Sequence, residues 1–314
     1  MRAVFFGSPD IAVPALEALC AIAEVAGVAC QPDRPAGRGL ELRPPAVKVR
    51  ALELGLEVVQ PEKLRSGPFP EWVRARDADV ALVMAYGRIL PPVVLEAPRR
   101  GCINLHASLL PRYRGAAPIN WAVARGETET GISLMQMDEG CDTGPVFVRE
   151  ALGIRPDETA GELGERLAAL AAAVVRGHLP AAVRGELVAE AQDETLCTVA
   201  PKLSKDDGLL DFSRPAPDVH NRARGMSPWP GACCYLGGKR LKLLQTRLAG
   251  VGGTGLPGRI VALDEHGATV ACGEGAILLV RAQIEGKKPL HVAQMAAGRT
   301  LGVGMTLENH ADAT

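Results

Sequence analysis

Residues 101–118 read GCINLHASLLPRYRGAAP. A short apolar run ends on Asn104 and His106, and a loop with Pro111, Pro118, Arg112 and Arg114 follows at once. Positions two apart in a strand face the same side, so Asn104 and His106 present an amide and an imidazole together. The run before them is the last of a series. RAVFF, VAGVAC, LEVVQP, DVALVMAYG and GCINLH read as strands, while IAVPALEALCAIAE, VKVRALELG, EWVRAR and PPVVLEA read as helices between them. Pro14 falls in the first helical turn, where proline is tolerated, and Gly55 closes the second helix. Strands alternating with helices predict a parallel, doubly wound sheet. Ligands bind such sheets beyond the carboxyl ends of the strands, which is where His106 lies.

Further along, TGISLMQMDEGCDTGPVFVREAL predicts a hairpin, and residues 157–188 predict mostly helix. The polar stretch from 189 to 207 reads as a linker. Beyond it, short strands separated by glycine turns predict a small β-barrel or sandwich. The expected division is therefore 1–188, a linker at 189–207, and 208–314.

At 314 residues, with 47% hydrophobic and 23% charged residues, the composition is that of a soluble globular chain. Aromatics at 4% are too few to build a stacking surface for single-stranded nucleic acid. The net charge is −1, so a polyanionic partner must be met by a local patch. From Lys205 onward, 13 Lys and Arg face 10 Asp and Glu, which makes the C-terminal part the basic one. A second basic cluster, Arg34, Arg38, Arg43, Lys48 and Arg50, interrupts the N-terminal part. Either cluster on its own reads equally well as a solvated face.

The 8 cysteines form no C-x-x-C pair and no zinc-site spacing, so they read as reduced thiols in a cytoplasmic protein without metal. The opening MRAVFFGSPD is too short an apolar run for a signal peptide. Arg176, His178 and Pro180 break the most apolar stretch before it reaches the length of a membrane span. GSPD after the first strand is not a dinucleotide fingerprint, and P-loop, H-E-x-x-H and G-x-S-x-G motifs are absent from the sequence.

His106 is the histidine best placed for chemistry: imidazole moves protons near neutral pH, and a neighbouring amide can donate to an oxygen that gains negative charge. Its carboxylate partner would come from Asp138, Glu139 or Asp142, with Asp142 favoured because Asp-Thr-Gly is a tight turn. The residues alone also fit a hydrogen-bonded histidine at a strand end and an ordinary polar hairpin turn.

The stretch NLHASLLPRYRGAAPINWAVARGETETGISLMQMDEGCDTG resembles the signature of the formyltransferases that use 10-formyltetrahydrofolate. GSPDIAVPALEAL, QPDRPAGRG, VMAYGRILP, KLSKDDGLLDF and PWPGA are similar to segments of the members acting on initiator methionyl-tRNA. The resemblance implies a Rossmann-like catalytic domain followed by an OB-like, tRNA-binding β-barrel. It implies Asn104, His106 and Asp142 as the catalytic trio, and Ser108, Leu109, Leu110 and Pro111 as lining for the folate donor. RPAGRG would open an inserted loop that meets tRNA through Arg34, Arg38 and Arg43; Lys239, Arg240 and Lys242 would meet it from the barrel. Leu40 and Glu41 stand where many members carry lysine, so the loop is expected to be less basic than in its relatives. A monomer that needs neither metal nor membrane is expected. Formylation of a small amine, hydrolysis of the formyl donor, and non-catalytic folate or tRNA binding are the competing readings.

Overall fold

The structure, a computed structural model, describes residues 1–36, 41–250 and 255–310. The chain divides into two compact units, the first made of Met1–Pro118, Glu129–Gly153 and Gly164–Ala200. The second takes Ile119–Thr128, Ile154–Leu163 and the chain from Pro201 onward.

In the first unit β1 (Arg2–Gly7), α1 (Val13–Ile22) and β2 (Glu24–Ala29) open a parallel sheet. A two-stranded ribbon, β3 (Arg34–Ala36) and β4 (Glu41–Arg43), precedes α2 (Ala46–Glu53) and the short β5 (Val58–Val59). Then come α3 (Phe69–Ala75), β6 (Val80–Met84), α4 (Pro92–Leu95) and β7 (Cys102–His106). The two-residue β8 (Arg114–Gly115) is followed by α5 (Pro118–Ala124), which belongs almost wholly to the second unit, and then by the hairpin of β9 (Glu129–Gln136) and β10 (Val146–Gly153). The long α6 (Ala160–Arg184) follows, and β11 (Val199–Ala200) pairs back onto β8.

The main sheet runs β10-β9-β7-β6-β1-β2-β5. Its pairs from β7 to β5 are parallel, and the hairpin joins antiparallel at β7. Every residue of β6 and β7 is buried, as expected of strands covered on both faces. Val4 and Phe6 of β1 join a core with Phe69, Val73, Val83 and Tyr86; burying each large side chain contributes about 1.5–3 kcal/mol. Strand order reverses between β1 and β6, so the carboxyl ends of β1, β6 and β7 share one edge. Gly7 ends β1 there because an added Cβ would sit 2.9 Å from the Met84 carbonyl oxygen.

Helix α6 lies within residues 157–188, as expected, and continues through His178 and Pro180 for 25 residues. By length and composition alone it is apolar enough to cross a membrane. Its Leu163, Leu167, Ala171, Val175 and Leu179, spaced at helical intervals, are buried in the protein instead. Arg176 stays exposed and His178 reaches Glu150 at 3.1 Å, so neither polar residue interrupts the buried stripe.

In the second unit α7 (Ala216–Gly225) lies against a sheet ordered β12 (Cys233–Leu236), β13 (Lys239–Leu248), β16 (Ala276–Ile284), β15 (Ala268–Ala271), β14 (Ile260–Leu263). β17 (Leu290–His291) pairs with β16, and α8 (Val292–Ala297) follows. Among the described residues, no strand pairing joins β12 to β14. Glu308 bridges to Tyr235 and Thr306 to Arg259, so the C-terminal segment spans the gap and makes the sheet a half-barrel. Helix α7 was not legible because two of its inward residues, His220 and Arg224, are polar.

His220 is 2% exposed, with Nδ1 2.9 Å from Thr246 Oγ1 and Nε2 3.2 Å from the Pro156 carbonyl oxygen. Asp157 lies 3.4 Å from Nε2 and Arg224 is the nearby cation. Burial outweighs the half-exposed Asp157 and lowers the imidazole pKa below its ordinary 6.5. A depressed folded-state value means that the unfolded chain binds the proton more readily. Stability is therefore full above about pH 6.5 and declines as pH falls toward the folded value. Thermal melts of wild type and His220→Gln at about pH 5.5 and 7.5 should show the larger acid-side loss in wild type. Equal losses would remove His220 as the cause.

Candidate active site

β7 delivers Asn104 and His106 to the carboxyl edge of the sheet, 8% and 6% exposed respectively. Asn104 stands opposite Val83 on one side and Met135 on the other, and His106 opposite Ser133. His106 Nε2 lies 2.9 Å from the Tyr113 carbonyl oxygen, which can only accept, so Nε2 carries a hydrogen. Nδ1 then faces Asp142 Oδ2 at 3.5 Å. In the neutral ring that leaves Nδ1 as the lone pair, facing the carboxylate.

Asp142 sits in the loop between β9 and β10 with a φ of 57°, in the left-handed region. Its Oδ2 accepts the Gly115 N–H at 2.9 Å, so the carboxylate is fixed by the backbone of β8 and shared with the imidazole. Asp138, the other acidic candidate, turns inward on its own loop, accepting from Gly140 N at 3.0 Å and Thr143 Oγ1 at 2.8 Å. Glu139 is exposed. Partial desolvation and the adjacent Asp142 carboxylate raise the pKa of the thiol of Cys141, itself an exposed residue, which keeps it protonated and unsuited to act as a nucleophile.

The loop after β7 is held at every turn. Ser108 Oγ donates to the Arg112 carbonyl at 2.6 Å, and Ser133 Oγ donates to the Ser108 carbonyl at 2.6 Å while accepting from Leu110 N at 3.0 Å. Arg149 Nε donates to the Leu110 carbonyl at 2.6 Å. Ser108, Leu110 and Pro111 are buried, which leaves Leu109 as the half-exposed apolar side chain of the four. Among the described residues, no group of three or more His, Cys, Asp or Glu side chains is placed to hold a metal ion.

Ser133, Arg149 and Gln192 were missed in the sequence. Gln192, from the stretch read as linker, donates to the Asp142 and Gly144 carbonyls at 2.8 and 2.7 Å. Arg114, buried at 7% exposure, donates to Gln192 and Glu194. Only the polar run EAQDETLCT hinted at such contacts, and nothing local said where they lead.

A "Formyl transferase" family model matches residues 1–177, and a "Formyl transferase, C-terminal domain" model matches 202–300. The chain belongs to the formyl transferase family. Methionyl-tRNA formyltransferase of Sorangium cellulosum (strain So ce56) is 60% identical, over 98% of this chain and 99% of its own length. That of Myxococcus xanthus (strain DK1622) is 48% identical over 96% of each. A sugar 3N-formyl transferase solved in the presence of dTDP and 5-N-formyl-THF has the same fold, with a TM-score of 0.67 at 16% identity. That alignment covers 92% of this chain and 99% of that one.

This formyl transferase places its basic candidates unevenly. Arg34 and Arg43 are exposed and directly opposite in the β3–β4 ribbon, while Arg38 lies outside the described residues. Lys48 bonds Asp33 at 2.8 Å and Gln60 at 2.7 Å, and Arg50 bonds Glu17 and Glu53, so both are engaged internally. On β13, Lys239 and Lys242 are exposed. Arg240 instead donates to Cys233 Sγ at 3.0 Å, so the three barrel cations do not form one exposed row.

Proposed function

We propose that this formyl transferase moves the formyl group of 10-formyltetrahydrofolate onto the amino group of methionine carried by initiator tRNA. The observation that carries the acceptor is 60% identity to a methionyl-tRNA formyltransferase across 98% of the chain, C-terminal unit included. The chain works in the cytoplasm as a monomer and without metal, with catalysis in residues 1–188 and tRNA binding in 208–314 and the β3–β4 ribbon.

10-Formyltetrahydrofolate supplies an N-formyl carbon as the electrophile. The Ser108–Pro111 loop suits it, since it follows directly on His106 with a locked backbone and a half-exposed apolar Leu109. Asn104 donates to the formyl oxygen as negative charge builds on it. His106 takes the proton that the attacking amine releases, at Nδ1, and Asp142 stabilises the imidazolium across 3.5 Å; as the bond from the formyl carbon to N10 of the donor breaks, that proton passes to N10 and tetrahydrofolate leaves. The stiff loop contributes by alignment, because an ångström of misplacement costs about a hundredfold in rate.

Formyl-labelled donor incubated with methionyl-tRNA, uncharged tRNA and small primary amines tests the reading. Label should appear on methionyl-tRNA, and label confined to small amines would overturn it.

Two like charges directly opposite in a ribbon repel each other, so Arg34 and Arg43 favour a polyanionic partner. Removing both should lower turnover with methionyl-tRNA most, by misplacing the acceptor end. Replacing Lys239 and Lys242 should instead flatten the salt dependence of tRNA binding by about one unit of slope per lost phosphate contact. An unchanged slope in salt titrations would remove β13 from the tRNA path.

A further inference from the structure

The stretch from Glu190 to Ala200 is fastened to the reaction site by side chains as well as backbone. Glu190 exchanges backbone bonds with Val146 at 2.8 and 2.9 Å, just past the Asp142 turn. Arg114 N donates to the Thr198 carbonyl at 2.9 Å, and β11 pairs with β8, whose Gly115 N–H holds the Asp142 carboxylate. Between these two anchors lies Gln192. Its Oε1 accepts from Arg114 Nε at 3.0 Å and Nη2 at 2.8 Å. Glu194 takes the opposite side of the same guanidinium, at 2.8 Å from Nη1 and 2.7 Å from Nη2.

Guanidinium has no acceptor, so the Gln192 oxygen must face Arg114 and its NH₂ must face the other way. There both amide hydrogens are used, one on the Asp142 carbonyl and one on the Gly144 carbonyl. Asp142 holds a left-handed backbone, uncommon for side-chain-bearing residues but one that aspartate tolerates in turns. Gly144 offers no give, because an added Cβ would collide with the Gln136 carbonyl oxygen. The Asp142 carbonyl and the Gly144 carbonyl two residues on are thus clamped by a single carboxamide. Glutamate could keep the Arg114 contact but would set an acceptor against two acceptors. Leucine or methionine would fill the space and bond to neither side.

We propose that Gln192 is a positioning residue for formyl transfer: it relays the fixed guanidinium of Arg114 to the Asp142 turn and so sets where the Asp142 carboxylate meets His106. The proposal rests on the role given above to Asp142 and His106. Gln192 acts through Arg114 and the Asp142 turn, so its effect should fall on the chemical step.

Gln192→Glu and Gln192→Met, each close to the native volume, test it. Both should lower kcat for formylation of methionyl-tRNA by about ten- to a hundredfold, leaving KM for donor and acceptor near wild type. Melting temperatures should stay close to wild type, and the His106 ring resonances in ¹H–¹⁵N spectra should move in both variants. Wild-type kcat, or a lower kcat with unmoved His106 resonances, would overturn the proposal. So would unfolding of both variants by circular dichroism, which would make Gln192 a structural strut. The ring resonances need no acceptor, so a wild-type protein that failed to formylate methionyl-tRNA would sink the assigned reaction and leave this test readable.

Discussion

Replacing His106 with alanine, or Asp142 with asparagine, should slow formyl transfer to methionyl-tRNA by about a hundredfold or more, the range seen when a proton-handling pair is broken. The two losses have different origins. His106→Ala removes the Nδ1 site that faces the carboxylate at 3.5 Å. Asp142→Asn keeps an oxygen able to accept from Gly115 N but removes the negative charge that stabilises an imidazolium. Steady-state rates with saturating donor and acceptor check both, and circular dichroism confirms that the variants remain folded. Wild-type turnover in both would remove the trio from the reaction.

The second large effect concerns Asn104. Asn104→Ala should lower kcat by about 10²–10³-fold, the usual loss of one donor to a developing oxyanion. Asn104→Asp, nearly the same shape, should be worse, because it sets an anion where negative charge must build. The order of the two variants separates electrostatic stabilisation from packing. Aspartate matching alanine would mean that Asn104 acts only by filling space beside Val83 and Met135.

The parallel strands and their helices were legible because each carries its own period or apolar run, and β7 announced its end through Asn104 and His106. The hairpin was legible from its Gly- and Asp-rich turn. What held the site in place was not. Gln192 lies 78 residues from Arg114 and 50 from Asp142 in the chain, so no local pattern connects them. Ser133 sits inside an apolar strand, and only its opposition to His106 shows that its hydroxyl locks the following loop. Charge counting also overstated the basic surfaces. Lys48, Arg50 and Arg240 are cations in the sequence, but the fold engages them in internal bonds.

The central claim is that Asn104, His106 and Asp142 act together to move a formyl group onto the methionine amine. A rapid-quench single-turnover experiment with formyl-labelled donor and methionyl-tRNA tests it most directly, comparing wild type, His106→Ala, Asp142→Asn and the double variant. Residues that act as a unit are not additive, so the double variant should be about as slow as the slower single variant. Losses that multiply would show two independent contributions and contradict the account.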